Sequence, residues 1–395
     1  MPSSPAFKSL AFVNVALVFM IAMAGTTLPT SIYRDYQTAY GFSPAIITVI
    51  YASYALGVLG GLLAMGNWSD QLGRKRMLRY GLLASGVSAL TFLAAHGLAM
   101  LMLGRLLSGI SAGIFTGTAT VAIIELSPEA WRGKATLTAT ASNMLGLGLG
   151  PVLSGALVQY APWPTRLSYA VHLALLALAI LLLRGVPETV DVAQRPVLRP
   201  QRIALPQGVR AAFMPAALSG FAGFVVVGFF AAVSPQLMRG VLGYRSTLVI
   251  GLGVFLIFLF STLGQSLERA IAQRFRQAVG CACLVIGLVA LAVCAWQRSP
   301  LALYVGTAIC GLGQGIGFRA AMGEIASKTP PERKAEVTST FFVVLYVAIS
   351  LPVIGIGVAI QREGIALATM TFAAVTIVIV LAALVLLSRN SRRAQ

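Results

Sequence analysis

Charge is scarce in this chain, and negative charge scarcest: 10% of its 395 residues are charged, with 11 Asp and Glu against 29 Lys and Arg. With 58% hydrophobic residues and a mean hydropathy of +0.87, it lacks the polar surface that a soluble globular fold needs. None of the eleven acids falls at the centre of an apolar run, so the places where a proton relay would want a carboxylate hold none. Cysteine is sparse too. Cys281, Cys283, Cys294 and Cys310 lie in or beside two adjoining apolar runs and read as small packing residues. Cys-x-Cys without further ligands makes no metal site, and no Gly-x-x-x-x-Gly-Lys-Ser/Thr loop is present to hold a nucleotide. No cofactor and no metal are therefore expected.

What the chain has is long apolar runs. A bilayer core of roughly 30 Å takes about 20 helical residues. Runs of that length lie at about 8–33, 43–65, 77–95, 98–124, 135–160, 164–184, 210–237, 246–267, 278–297, 300–325, 335–360 and 364–388. They predict an all-α membrane protein of 12 transmembrane helices. The stretch 185–209 carries Pro187, Pro196, Pro200 and Pro206 with several Arg and reads as a linker. It divides the chain into a bundle over 1–184 and a bundle over 210–395.

The net charge of +18 would suit nucleic acid, but its placement argues otherwise. Six cations (Arg34, Arg166, Arg239, Arg245, Arg298, Arg362) fall on one side of the predicted spans and two (Arg105, Arg319) within them; the other 21 share the opposite side. Basic loops face the cytoplasm, which puts both termini there and makes a nucleic-acid partner unnecessary. The N-terminus mimics a signal peptide, with Lys8, an apolar run and Ala22-Met23-Ala24. The run continues toward Tyr33, so an uncleaved first span is expected.

Two halves repeat at an offset of about 200 residues: Gly109 and Gly113 align with Gly311 and Gly315, and Pro151 with Pro352. Glu125-Leu-Ser-Pro128-Glu129 before Arg132 and Lys134 is echoed by Glu324 and then Pro331-Glu332-Arg333-Lys334. Two pseudo-symmetric six-helix bundles follow from such a repeat.

The strongest functional signal is the hairpin Gly66-Asn67-Trp68-Ser69-Asp70-Gln71-Leu72-Gly73-Arg74-Lys75-Arg76 between the second and third runs. It resembles the signature loop of major facilitator superfamily transporters, Gly-x-Leu-Ala-Asp-Arg-x-Gly-Arg-Lys. Gly66, Asp70, Gly73, Arg74 and Lys75 match in place; Trp68, Ser69 and Gln71 depart. The resemblance implies a conformational latch that holds one of two transporter states. Asp70 is expected against the positive end of a neighbouring helix, Glu125 as the carboxylate for Arg74, and Glu324 for Arg269, Arg274 and Arg276. The second half repeats the hairpin only faintly, as Gly264-Gln-Ser-Leu-Glu268-Arg269. A plain topogenic basic loop is the alternative.

Gly146-Leu-Gly148-Leu-Gly150-Pro151-Val-Leu-Ser154-Gly155 resembles the superfamily's antiporter motif, with Ser154 in place of one Gly and Leu137 in place of an earlier one. Gly146, Gly150, Pro151 and Gly155 are expected to pack helices closely and kink one of them. Arg105, followed four residues later by Gly109, resembles the superfamily's buried-arginine motif. It reads as a site residue or as a structural arginine on neighbouring carbonyls.

For a substrate or proton pathway the candidates are Asp35, Arg105, Arg319, His172, Asn14, Gln314, Phe221 and Phe224. Asp35 is the best-placed carboxylate or a solvated loop charge, and His172 a titrating group or a packed histidine. By resemblance the first, fourth, seventh and tenth spans line the cavity, which adds Thr26, Thr27, Ser108 and Phe318. Two buried arginines with no central acid disfavour lipophilic cations and permit neutral or anionic substrates.

Taken together, the resemblance implies a monomeric inner-membrane exporter of a drug or metabolite, a multidrug-efflux type of proton antiporter working by alternating access. A sugar or organic-anion symporter or uniporter is the main alternative. Gly109-Ile-Ser111-Ala-Gly113 also fits the hydrolase pattern Gly-x-Ser-x-Gly, and an intramembrane hydrolase or a transport-dead sensor is the minor one. That pattern needs a strand-to-helix turn, whereas Ser111 lies mid-run, so no enzyme is expected.

Overall fold

The computed structural model describes residues 5–393 apart from Asn67. Every regular element among the described residues is helical. Backbone packing divides them into two compact units, one gathering residues up to Asp35 with Ser53–Gln201, the other Tyr36–Ala52 with Arg202 onward.

The helices running through the first unit are α1 (Pro5–Thr27), α2 (Pro29–Tyr40), α3 (Pro44–Met65), α4 (Trp68–Leu72), α5 (Arg74–Leu93), α6 (Leu98–Leu126), α7 (Arg132–Tyr160) and α8 (Leu167–Arg184). Proline punctuates their starts: Pro29 separates α1 from α2, and Pro44 opens α3, where its missing N–H is no loss. Within this unit α1 packs on α6, α7 and α8, and α5 on α6 and α8.

The second unit holds α9 (Arg210–Ala232), α10 (Ser234–Gly240), α11 (Thr247–Leu267), α12 (Arg276–Gln297), α13 (Pro300–Lys328), α14 (Lys334–Glu363) and α15 (Ile365–Arg393). Side-chain caps set two starts: the Ser246 hydroxyl accepts from the Val249 amide (3.2 Å) and that of Ser299 from Ala302 (3.3 Å). A core of Phe213, Ala216, Ala321, Ile325, Val337, Phe341 and Leu345 joins α9, α13 and α14.

Eleven helical stretches of the described residues are long and apolar enough to cross a membrane, the first being Lys8–Tyr40. α5, which covers the third predicted span, is not among them. Arg74, Lys75, Arg76 and Arg79 fall in its first six positions, so its apolar part is short. The chain is a multi-pass membrane protein.

Small residues set the helix spacing in each unit. A Cβ on Gly109 of α6 would lie 2.2 Å from the Tyr54 carbonyl of α3, and one on Gly315 of α13 would lie 2.1 Å from the Ser261 carbonyl of α11. Backbones this close admit no side chain.

Candidate functional site

The hairpin is built around one buried guanidinium. Gly73 has φ 99°, a left-handed conformation that favours glycine, and it turns the chain from α4 into α5. Arg74 follows, 7% exposed. It binds Glu125 at the end of α6 in two places (Nη2 to Oε1 3.0 Å, Nε to Oε2 3.3 Å) and donates from Nη1 to the Ser69 hydroxyl (2.6 Å) and to Asp70. A planar fork gripping a carboxylate at two points fixes geometry as well as charge. Burial opposes the charge on Arg74, but Glu125 and Asp70 outweigh it and hold the guanidinium above its ordinary value. Lys75 goes the other way, held below its ordinary value by desolvation and by Arg79, with Glu188 only partly offsetting them.

The predicted pair Arg74–Glu125 is therefore met, while Asp70 differs from expectation: it reaches across the Gly73 turn to Arg74. A residue the sequence reading passed over sits at the helix start instead. Glu188, in the stretch after α8, accepts from the amides of Arg74 (2.7 Å) and Lys75 (3.1 Å), the first orphan donors of α5, where the helix dipole favours an anion. A Cβ on Gly73 would strike its carboxylate.

The same stretch is laced to the hairpin along its length. Lys75 Nζ donates to the Arg184 carbonyl (2.8 Å), the Thr189 hydroxyl to Glu125, the Ala193 amide to the Gln71 carbonyl (2.9 Å), and the Gln201 amide to the Leu63 carbonyl (2.6 Å). The Gln71 side chain pairs with both backbone groups of Val197 (2.6 and 3.0 Å). Gly66 packs against Gln201, which a Cβ there would displace.

In the second unit the corresponding cluster centres on an acid. Glu268, 4% exposed, lies between Arg276 Nη1 (2.8 Å) and Arg319 Nε (3.5 Å), and Arg319 Nη1 also donates to the Gln265 carbonyl (3.0 Å). The expectation that Glu324 serves this loop is corrected: Glu268, at the C-terminal end of α11 where the loop begins, takes the ion pairs. Glu324 lines a cleft of about 660 Å³ together with Arg274, Arg276 and Gln277.

Inside the first unit, the antiporter-motif helix α7 lies on α1. Cβ atoms on Gly146 and Gly150 would strike the carbonyls of Met20 (2.6 Å) and Ala24 (2.3 Å). Pro151 has no N–H for the Leu147 carbonyl four residues back, and the Thr27 hydroxyl supplies that bond (2.7 Å); Ser31 donates to the Pro151 carbonyl (2.8 Å). Gly155 is buried on the same helix.

The break between α1 and α2 leaves carbonyls of the last α1 turn without α1 partners. Arg105 of α6, 2% exposed, donates from Nη1 to one of them, that of Thr26, and its guanidinium lies 4.6 Å over the Tyr54 ring. Ser108 donates to the Arg105 carbonyl (2.9 Å). Sequence reading named Arg105 and Thr26 but missed Tyr54; Pro29, which breaks the first helix just after Thr26, was the available signal for the open carbonyl.

The other candidates are dispersed. Asn14 donates to the Leu182 carbonyl (3.3 Å), and Asp35 is half-buried on α2. His172 packs its ring against Gly25 with Nε2 3.1 Å from the Ser85 hydroxyl, while Ser111 of the hydrolase-like pattern donates to the Gly81 carbonyl (2.8 Å), so the two are engaged with different partners. Gln314 accepts from Ser261 (2.5 Å). Phe221 is half-buried on α9, and Phe224 meets Phe318 with ring centroids 5.6 Å apart and Tyr346 at 6.5 Å.

Helices packed through glycine, an ion-paired hairpin and a proline-broken first helix make up a multi-pass membrane bundle. The Major Facilitator Superfamily profile matches residues 10–353, and the chain belongs to that superfamily. It is 27% identical over 149 residues to MdtD of Salmonella paratyphi B, a protein named for multidrug resistance, and 31% identical over 132 residues to the MFS-type transporter criB of Aspergillus cristatus. These matches take in 38% and 33% of the chain, and the chain covers only 32% and 28% of those relatives' own lengths. Among solved structures, the fold is similar to a bacterial homolog of the human lysosomal transporter Spinster (TM-score 0.78, 15% identity, 99% of this chain and 98% of that one). It is also similar to the xylose transporter XylE of E. coli (TM-score 0.73, 15% identity, 95% and 97%).

Proposed function

We propose that the chain is a twelve-span exporter of the inner membrane, with both termini in the cytoplasm, that exchanges a small organic molecule for protons by alternating access. In this reading 1–184 and 210–395 are the two bundles and 185–209 the cytoplasmic linker. The observation that carries it is the two-point grip of the buried Arg74 guanidinium on Glu125 at the surface, a polar lock that one conformation makes and the other must break. The Gly-Pro helix packed on α1 and the partial likeness to a relative named for multidrug resistance support export. The test is proton movement in proteoliposomes under an imposed pH gradient, with candidate compounds added in turn and internal pH read by a dye. Collapse of the gradient by one compound is the expected result. If labelled compound crosses while internal pH never changes, proton exchange is wrong.

A second reading, a carrier without proton coupling, is favoured by one observation: the sequence places no acid at the centre of a span. The same assay separates the two.

A further inference from the structure

We infer that the cleft of about 660 Å³ in the second unit is a docking site for an extended acidic peptide segment of another protein, which seats a glutamate at the start of α12. The inference stands apart from the export reading, since it concerns a binding partner and no transported molecule.

The first unit shows what such a place holds when it is filled. Arg74 opens α5, and Arg276 opens α12 at the same offset that relates Gly109 to Gly311. The start of α5 is covered by the chain itself: Glu188 accepts from the amides of Arg74 and Lys75, and the next residue, Thr189, donates to Glu125 near the end of α6. The start of α12 has no acid in its first turn, and among the described residues no side chain caps it. Beside it lies the cleft, whose walls include Gln273, Arg274, Arg276, Gln277, Glu324 and Leu387. One helix start has its anion and the other lacks one.

The cleft also offers side chains that the fold does not use. Arg274 is exposed and makes no ion pair among the described residues; its guanidinium lies 4.6 Å from the ring of its neighbour Phe275. Glu324, near the end of α13 as Glu125 is near the end of α6, is left out of the ion pairs that Glu268 takes. The side-chain oxygen of Gln277 is buried with no partner, so a donor that reaches it is favoured. Arg276 is already engaged, by Glu268 (2.8 Å) and the Ile271 carbonyl (2.9 Å).

These groups call for an anion and a hydrogen-bond donor side by side. A bare phosphate suits Arg274 and the helix start, but it brings no donor and faces Glu324 with like charge. An ammonium suits Glu324 and meets like charge at Arg274 and Arg276. A glutamate followed by a residue with a hydroxyl brings both, as Glu188 and Thr189 do in the first unit. The chain's own stretch of this kind is held by the first hairpin, so the occupant comes from another molecule.

The test is saturation-transfer NMR of the end-capped peptide Pro-Glu-Thr-Val, the chain's own 187–190 sequence, with the full-length protein in phosphatidylcholine nanodiscs. The peptide should bind about tenfold more tightly than its form with Gln for Glu, and about threefold more tightly than its form with Val for Thr. Arg274→Ala, at an exposed position outside every ion pair among the described residues, should leave the fold intact and weaken binding about tenfold. No binding, equal affinity for the Glu and Gln forms, or an unchanged affinity in Arg274→Ala would each overturn the inference. Full displacement of the peptide by an equal concentration of inorganic phosphate or phosphoethanolamine would overturn it too, and would make the cleft a site for small ions or lipid headgroups. Binding is read without any gradient, so a failure here leaves the exporter reading intact.

Discussion

The two units agree in what they omit and disagree in the sign of what they charge. Gly109 and Gly315 sit at corresponding places, each against a carbonyl of the neighbouring helix, and each unit breaks its first helix at a proline. Their hairpins differ. In the first unit the hairpin supplies the cation, Arg74, and the end of α6 supplies Glu125; in the second the loop side supplies Glu268 and α13 supplies Arg319. Close helix packing tolerates no such exchange, because a missing side chain has no substitute. An ion pair has no direction, and reversing its partners keeps the attraction. The repeat is therefore steric before it is electrostatic.

The largest effect that would break this comparison is Glu268→Gln. It takes the carboxylate from between two guanidiniums and should lower stability by about 3 kcal/mol or more, read as a fall in melting temperature in detergent. An unchanged melting temperature would show the cluster to be solvated. Next come Gly109→Ala and Gly315→Ala, expected to cost about 1–3 kcal/mol each and to resemble one another; loss in only one would end the claim of a steric repeat. Arg74→Ala should lower turnover about tenfold with expression near normal, as should Asp70→Asn to a lesser degree. Wild-type turnover in both would reduce the hairpin to a topology signal. Smallest is Glu188→Gln, which weakens the cap on α5 and should cost about 0.5–1 kcal/mol, measured as faster amide exchange at Arg74 and Lys75.

Much of this was legible in the chain. Apolar runs gave the helices, because a bilayer demands length and hydropathy in sequence order. The pair of Arg74 with Glu125 was legible because few acids compete for so exposed a signal. Glu188 was hidden by its setting: in a proline-rich stretch with several arginines it looks like a solvated linker charge, and nothing local says that 114 residues earlier a helix start awaits an anion. Glu268 was hidden by symmetry, since the echo of Glu125 drew attention to Glu324. Thr27 looked like a cavity wall and instead answers the carbonyl that Pro151 leaves open, a debt visible only when α1 and α7 lie together.

The lacing of the 186–201 stretch onto the hairpin also sets a clock. Glu188 is made 114 residues after Arg74, and at about 5–20 residues per second synthesis takes roughly 6–23 s to cover that distance. Until Glu188 is made, the first amides of α5 lack the carboxylate that caps them in the folded chain. The first hairpin is thus finished last in its half, and its completion marks the moment at which the first six predicted spans have all been delivered.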